Sequence, residues 1–185
     1  VQAVLDDYAR LGTEAFLPWI HQRDRLRGTL ANLLGGESTD WALTPGTTRG
    51  LLDVAHCMRW QPGDRILLFD GEFPANVTPW QRAAAAWDLR LLSLPLTGFG
   101  DGSGAGLARV ERALHQGVRL VAVSAVQFQT GLRMPIRQLG ALCHRYGALL
   151  CVDGIQAAGA VPVDVVADNV DFFAAGPHKW AMGLD

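Results

Sequence analysis

The 185-residue sequence predicts an α/β fold, a three-layer α/β/α sandwich with a mostly parallel sheet. Two observations carry that expectation. Strand-like apolar runs alternate with helix-like stretches along the chain, the order of a βαβ series. Several runs, among them "RILLF", "RLVAVSAV" and "ALLCV", are continuously apolar rather than alternating, as strands covered on both faces must be.

The elements follow in order. Residues 4–34 have a helical pattern interrupted near Pro18, with Leu26, Leu30, Leu33 and Leu34 on one stripe and two glycines ending it. "WALTPGTTRGLLDVAHCMRW" reads as a short extended piece, a Pro-Gly turn and a helix opening near Thr47. "RILLFD" (65–70) is a strand, and "NVTPWQRAAAAWDL" a helix that tolerates Pro79 only in its first turn. "RLLSLPL" is a strand and "LARVERALHQG" a helix stopped by Gly117. "RLVAVSAV" (119–126) is a buried strand, "PIRQLGALCHRYG" a helix, and "ALLCVD" (148–153) another buried strand, with "VDFFAAG" (170–176) closing the series. "GFGDGSGAG" (98–106) matches no phosphate-binding fingerprint and reads as a surface loop. The expected organisation is an N-terminal helical segment, 1–38, followed by one large domain, 39–185.

Composition narrows the function classes. A net charge of −2 gives no electrostatic basis for binding nucleic acid or an anionic membrane, and no run approaches the ~18 apolar residues of a membrane span. Cys57, Cys143 and Cys151 show neither CxxC nor metal-like spacing, so a reduced, cytoplasmic setting and core packing are expected. His21, His56, His115 and His144 lie on or beside helices without ligand spacing, and no metal is expected. A chain that opens on Val and stops just after "GPHKWAMG" reads as part of a longer one.

Polar residues collect where ligands bind in open α/β sheets, beyond the carboxyl ends of strands. Gln127 follows one strand, Asp153 ends another, and His178 and Lys179 follow a third. Each could equally cap or turn the chain. Thr47 and Thr48 open a helix, where free N–H groups and two hydroxyls suit a phosphate, or where a threonine simply caps the helix. Lys179 is the only lysine beside fifteen arginines. An amine can condense with an aldehyde, whereas a guanidinium, protonated at all usable pH, cannot. A strand-end carboxylate can hold a pyridine nitrogen protonated. Phosphate cradle, carboxylate and lysine, in that order, are what a pyridoxal phosphate site needs.

"CVDGIQAAGAVPVDVVADNVDFFAAGPHKWAMG" resembles the cofactor-lysine region of the class V, fold type I pyridoxal phosphate enzymes. "TPGTTRGLLDVA", "GEFPANVTPW" and "SAVQFQTGLRMPIRQLGALCHRYG" are similar to other segments of that family. The resemblance implies the large domain of that fold, with Lys179 as the Schiff-base lysine and later proton carrier. Asp153 would pair with the pyridine nitrogen and Gln156 would reach the ring hydroxyl. Thr47 and Thr48 would hold the phosphate, with His178 contributing, and Gly176 would offer only its backbone N–H where a serine is usual. Phe73 falls at the ring-stacking position, where desulfurases carry a histidine. Gln127 lies near an asparagine that contacts the ring, although its spacing to Gly131 differs by one residue. Arg49 and Arg133 are candidates for a substrate carboxylate or for solvated charge.

The wording of "GEFPANVTPW" and "VQFQTG" is nearer the epimerase-like and kynureninase-like branch than the desulfurases. The family reading is an aminotransferase-like enzyme acting on an amino acid or amine, with a homodimer completing the phosphate site. The alternatives are a cysteine desulfurase or another lyase or epimerase, or a non-catalytic binding domain that keeps the fold.

Overall fold

A computed structural model describes residues 2–183. The chain forms two compact units, one up to Leu43 and one from Thr44.

The first unit holds α1 (Gln2–Leu11), a 3-10 turn (Gly12–Ala15) and α2 (Phe16–Leu34). The helical interruption falls at Gly12, whose φ is +56°, rather than at Pro18. Pro18 sits in the first turn of α2, where a missing N–H costs nothing. Of the predicted leucine stripe, Leu34 is buried, but Leu26 and Leu33 stay 45% and 60% exposed.

The second unit contains α3 (Thr47–Cys57), β1 (Arg65–Phe69), α4 (Thr78–Trp87), β2 (Arg90–Leu94), α5 (Ala105–Leu114), β3 (Val118–Ser124), α6 (Ile136–Arg145), β4 (Leu149–Asp153) and β5 (Phe172–Ala174). All strand pairs are parallel, in the order β2-β1-β3-β4-β5. Alternate strand residues point to opposite faces. Leu67, Val121, Val123, Leu150 and Val152 pack with Val110 of α5 and Leu139 and Cys143 of α6. Ile66, Leu68, Leu120, Ala122 and Cys151 pack with Leu51 and Ala55 of α3 and Trp80 of α4. Helices therefore cover both faces, which is the three-layer sandwich, and the apolar runs are continuous because both faces are buried.

Two glycines permit close approaches around β4 and β5. A Cβ on Gly140 of α6 would lie 2.1 Å from the Asp168 carbonyl oxygen, and one on Gly154 would lie 2.0 Å from the Phe173 ring. No helix among the described residues is long and apolar enough to cross a membrane.

Candidate active site

The chain leaves β1 toward β2 on one side and then returns to place β3 on the other, so the strand order reverses at β1. Such a switch point opens a crevice outside the carboxyl ends of the two strands. The register aligns Ser124, Asp153 and Ala174 across that edge. Continuing the alternation of β3 and β4, Ser124 and Asp153 face the α3 side of the sheet. The first turn of α3 is held at the same edge: a Cβ on Gly50 would lie 3.2 Å from that of Ala174.

Asp153 is 1% exposed. Its Oδ1 accepts the Ile155 N–H at 3.0 Å, while Oδ2 is buried without a hydrogen-bond partner. Burial raises its pKa to about 6, with the nearby Glu72 charge adding to the rise and the Ile155 N–H and Lys179 opposing it. Gln127, also 1% exposed, donates Nε2 to Glu72 at 2.9 Å and leaves Oε1 buried and unpartnered.

The residue that caps α3 is Gly46, and no side chain caps the helix, so neither threonine is an N-cap. Thr47 is instead the first helical residue, with its Oγ1 buried and unpartnered. Thr48, next in the turn, is exposed.

Lys179 and His178 are exposed on the segment after β5. The Lys179 Nζ lies 5.8 Å from the centroid of the Phe73 ring, which itself meets Phe128 edge-on at 5.2 Å. Gln156 accepts the Trp180 indole N–H at 3.1 Å through Oε1, which leaves its NH2 group to donate. Gly176 is buried, and a Cβ there would lie 3.1 Å from Ile155 and 3.2 Å from the His178 ring. A serine side chain at this position would therefore crowd the turn that carries the lysine.

Among the described residues, five buried side-chain polar atoms lack a partner, and three are Thr47 Oγ1, Gln127 Oε1 and Asp153 Oδ2. Buried polar atoms are normally satisfied, so three such atoms on candidate cofactor residues fit a polar ligand. A hydroxyl at a helix start suits a phosphate, and a buried carboxylate oxygen suits a protonated ring nitrogen. The residues present thus fit pyridoxal phosphate.

Arg49 and Arg133 have protein partners instead: Asp53 at 2.8 Å and the Pro162 carbonyl at 3.0 Å. Arg133 lines a groove of about 440 Å³ beside the start of α6, lined also by Arg137, which pairs with Asp168. The thiols of Cys143 and Cys151 are pushed up by burial, the former to about 12, so neither is a reactive thiolate. Cys57, the third, is exposed at the end of α3 opposite Thr47. No metal-binding group of His, Cys, Asp or Glu occurs among the described residues.

Glu72 is the site residue that the sequence did not single out. It is 8% exposed just past β1 and binds Ser124, the last residue of β3, and Gln127 just past it. Its only signal in the sequence is the second of two acids in "DGEFPAN", just after a buried strand.

An α/β sheet with a buried carboxylate, a helix start and a following amine at the carboxyl edge of its strands fits an anionic aldehyde cofactor. Comparison with known proteins agrees: residues 18–185 match the Aminotransferase class-V family, and the chain belongs to it. It is 34% identical over 160 residues to a probable cysteine desulfurase of Mycolicibacterium paratuberculosis, a match that covers 84% of this chain and 23% of the relative. The same identity and length relate it to a cysteine desulfurase of Dickeya dadantii, of which it covers 38%.

Among solved structures, the cystine C-S lyase C-DES in complex with its reaction product cysteine persulfide superposes with a TM-score of 0.90 at 29% identity. That match covers 99% of this chain and 50% of the neighbour. A lysine variant of C-DES holds glycine covalently linked to its pyridoxal phosphate. The chain thus spans half or less of the length of these relatives. They are C–S-cleaving enzymes, so they favour the lyase alternative over the aminotransferase reading.

Proposed function

We propose that this chain is the cofactor-binding part of a pyridoxal phosphate-dependent lyase that cleaves the C–S bond of a sulfur amino acid such as cysteine or cystine. The observation that carries the cofactor is the trio of unpartnered buried atoms, Thr47 Oγ1, Gln127 Oε1 and Asp153 Oδ2. The reaction class rests on the named activities of the relatives.

Bound here, pyridoxal phosphate supplies an aldehyde for covalent attachment and an electron-withdrawing ring. The chain's own residues then have separable tasks. Lys179 provides the amine for attachment and, once released, a base that can hold a proton. Asp153, raised to about 6 and so ionised at neutral pH, would accept a proton-bearing ring nitrogen on Oδ2, and that pairing would lower its pKa. Thr47 and the start of α3 would hold the phosphate. Phe73 would cover the ring by apolar contact and brings no titratable group of its own.

The test is made on the full-length protein. After addition of pyridoxal phosphate, visible absorbance should develop, be fixed by borohydride at Lys179, and be absent from Lys179→Ala. With L-cysteine or L-cystine, the holoenzyme should release sulfide or a persulfide. Pyridoxamine phosphate formation without sulfur release would restore the aminotransferase reading, and no cofactor uptake would leave only a binding domain with this fold.

A further inference from the structure

Glu72 stands at the centre of a polar network spanning three segments. Its carboxylate accepts the Ser124 N–H at 2.8 Å and the Ser124 hydroxyl. It also accepts the Gln127 amide at 2.9 Å and the Asn76 amide at 3.1 Å. Asn76 is itself 0% exposed and accepts the Trp80 indole N–H at 3.1 Å through Oδ1.

The bond directions follow from two groups that can only donate, the Trp80 indole N–H and the Ser124 backbone N–H. An indole N–H can only donate, so Asn76 must turn its carbonyl to Trp80 and its NH2 group to Glu72. Glu72 Oε1 already accepts the Ser124 N–H, so it faces Gln127 as an acceptor and Gln127 turns its NH2 group to it. The Gln127 carbonyl is then left over, and it is one of the unpartnered buried atoms. Without Glu72 the amide could rotate by half a turn at little cost, because the two ends are the same size.

We propose that Glu72 is a positioning residue of the cofactor site, fixing the Gln127 side chain so that its carbonyl, and not its NH2 group, is offered to the ligand. The site then presents an acceptor at this point and selects a ligand group that carries a hydrogen. The inference rests on the cofactor reading above only for the identity of that ligand. The orientation of the amide is a property of the ligand-free chain.

Two measurements separate these. In the ligand-free full-length protein, the Gln127 side-chain NH2 signals, assigned by their absence from Gln127→Met, should be protected from solvent exchange and lose that protection in Glu72→Gln. Exchange in the wild type as fast as in an exposed glutamine overturns the proposal whether or not any cofactor binds.

The second is a double-mutant cycle read as the pyridoxal phosphate dissociation constant, with folding checked by circular dichroism. Glu72→Gln is expected to weaken binding roughly tenfold, about the effect of a hydrogen bond to a charged group. In the Gln127→Met background the same change should have no further effect. An equal weakening in both backgrounds overturns the proposal and leaves the cofactor reading intact. A wild type that takes up no pyridoxal phosphate overturns the cofactor reading, and the exchange measurement still decides the orientation.

Discussion

Asp153→Asn separates the cost of the buried carboxylate from its use. Asp153 titrates at about 6 in the folded protein against an ordinary 3.8, because burial disfavours its charge. The folded state therefore holds that proton more tightly than the unfolded state, and ionisation weakens folding. The destabilisation is absent below about pH 3.8, grows through pH 6, and levels off near 3 kcal/mol above it, at about 1.4 kcal/mol per pKa unit. Between pH 5 and pH 8 the wild type should lose about 1.4 kcal/mol that the asparagine variant keeps. The NH2 group introduced by the substitution lacks a partner too, but that cost does not vary with pH, so the slope isolates the carboxylate. Groups common to both proteins cancel in the difference. Chemical denaturation of the ligand-free proteins across that range reads it directly, and the melting difference should widen by roughly 3–6 °C. Saturating wild type with pyridoxal phosphate should shrink the pH-dependent gap, because a ring cation on Oδ2 favours the charged carboxylate. A stability difference that stays flat from pH 5 to pH 8 would refute the reasoning, since Asp153 could not then be desolvated as its burial requires.

Other substitutions probe the site and its frame. Lys179→Ala should abolish borohydride-fixable cofactor while changing stability by no more than ~0.5 kcal/mol, as expected for an exposed side chain, measured by absorbance and denaturation together. Thr47→Val should leave ligand-free stability unchanged or raised, because it removes an unpaired buried hydroxyl, yet weaken pyridoxal phosphate binding roughly tenfold in a fluorescence titration. Gly140→Ala should destabilise by roughly 1–3 kcal/mol in denaturant titrations, although alanine in an open helix would gain about 1 kcal/mol, because its Cβ meets the Asp168 carbonyl at 2.1 Å.

What the sequence disclosed depended on whether the physics was local. Apolar runs bounded by glycine and proline give buried strands and their order along the chain, and "RLVAVSAV" becomes β3 because neither face can touch water. Pro79 falls in the first turn of α4 for an equally local reason. Thr47 shows where local reasoning stops: a threonine at a helix start is a good cap by preference, but Gly46 takes that position and turns the hydroxyl into an unpartnered buried group. The leucine stripe of α2 fails likewise, since periodicity identifies a face without saying what covers it.

Glu72 required the most distant information. Ser124 lies 52 residues away, and nothing in either segment shows that β3 will return to the opposite side of β1 from β2. Only the strand order brings the acid to the Ser124 and Gln127 donors; Trp80 settles which way the Asn76 amide faces, and Glu72 settles Gln127. A sequence can thus nominate Gln127 for a site while leaving open whether it offers a donor or an acceptor. That choice, made by a buried carboxylate across the switch point, decides which protonation state of a ligand the crevice accepts.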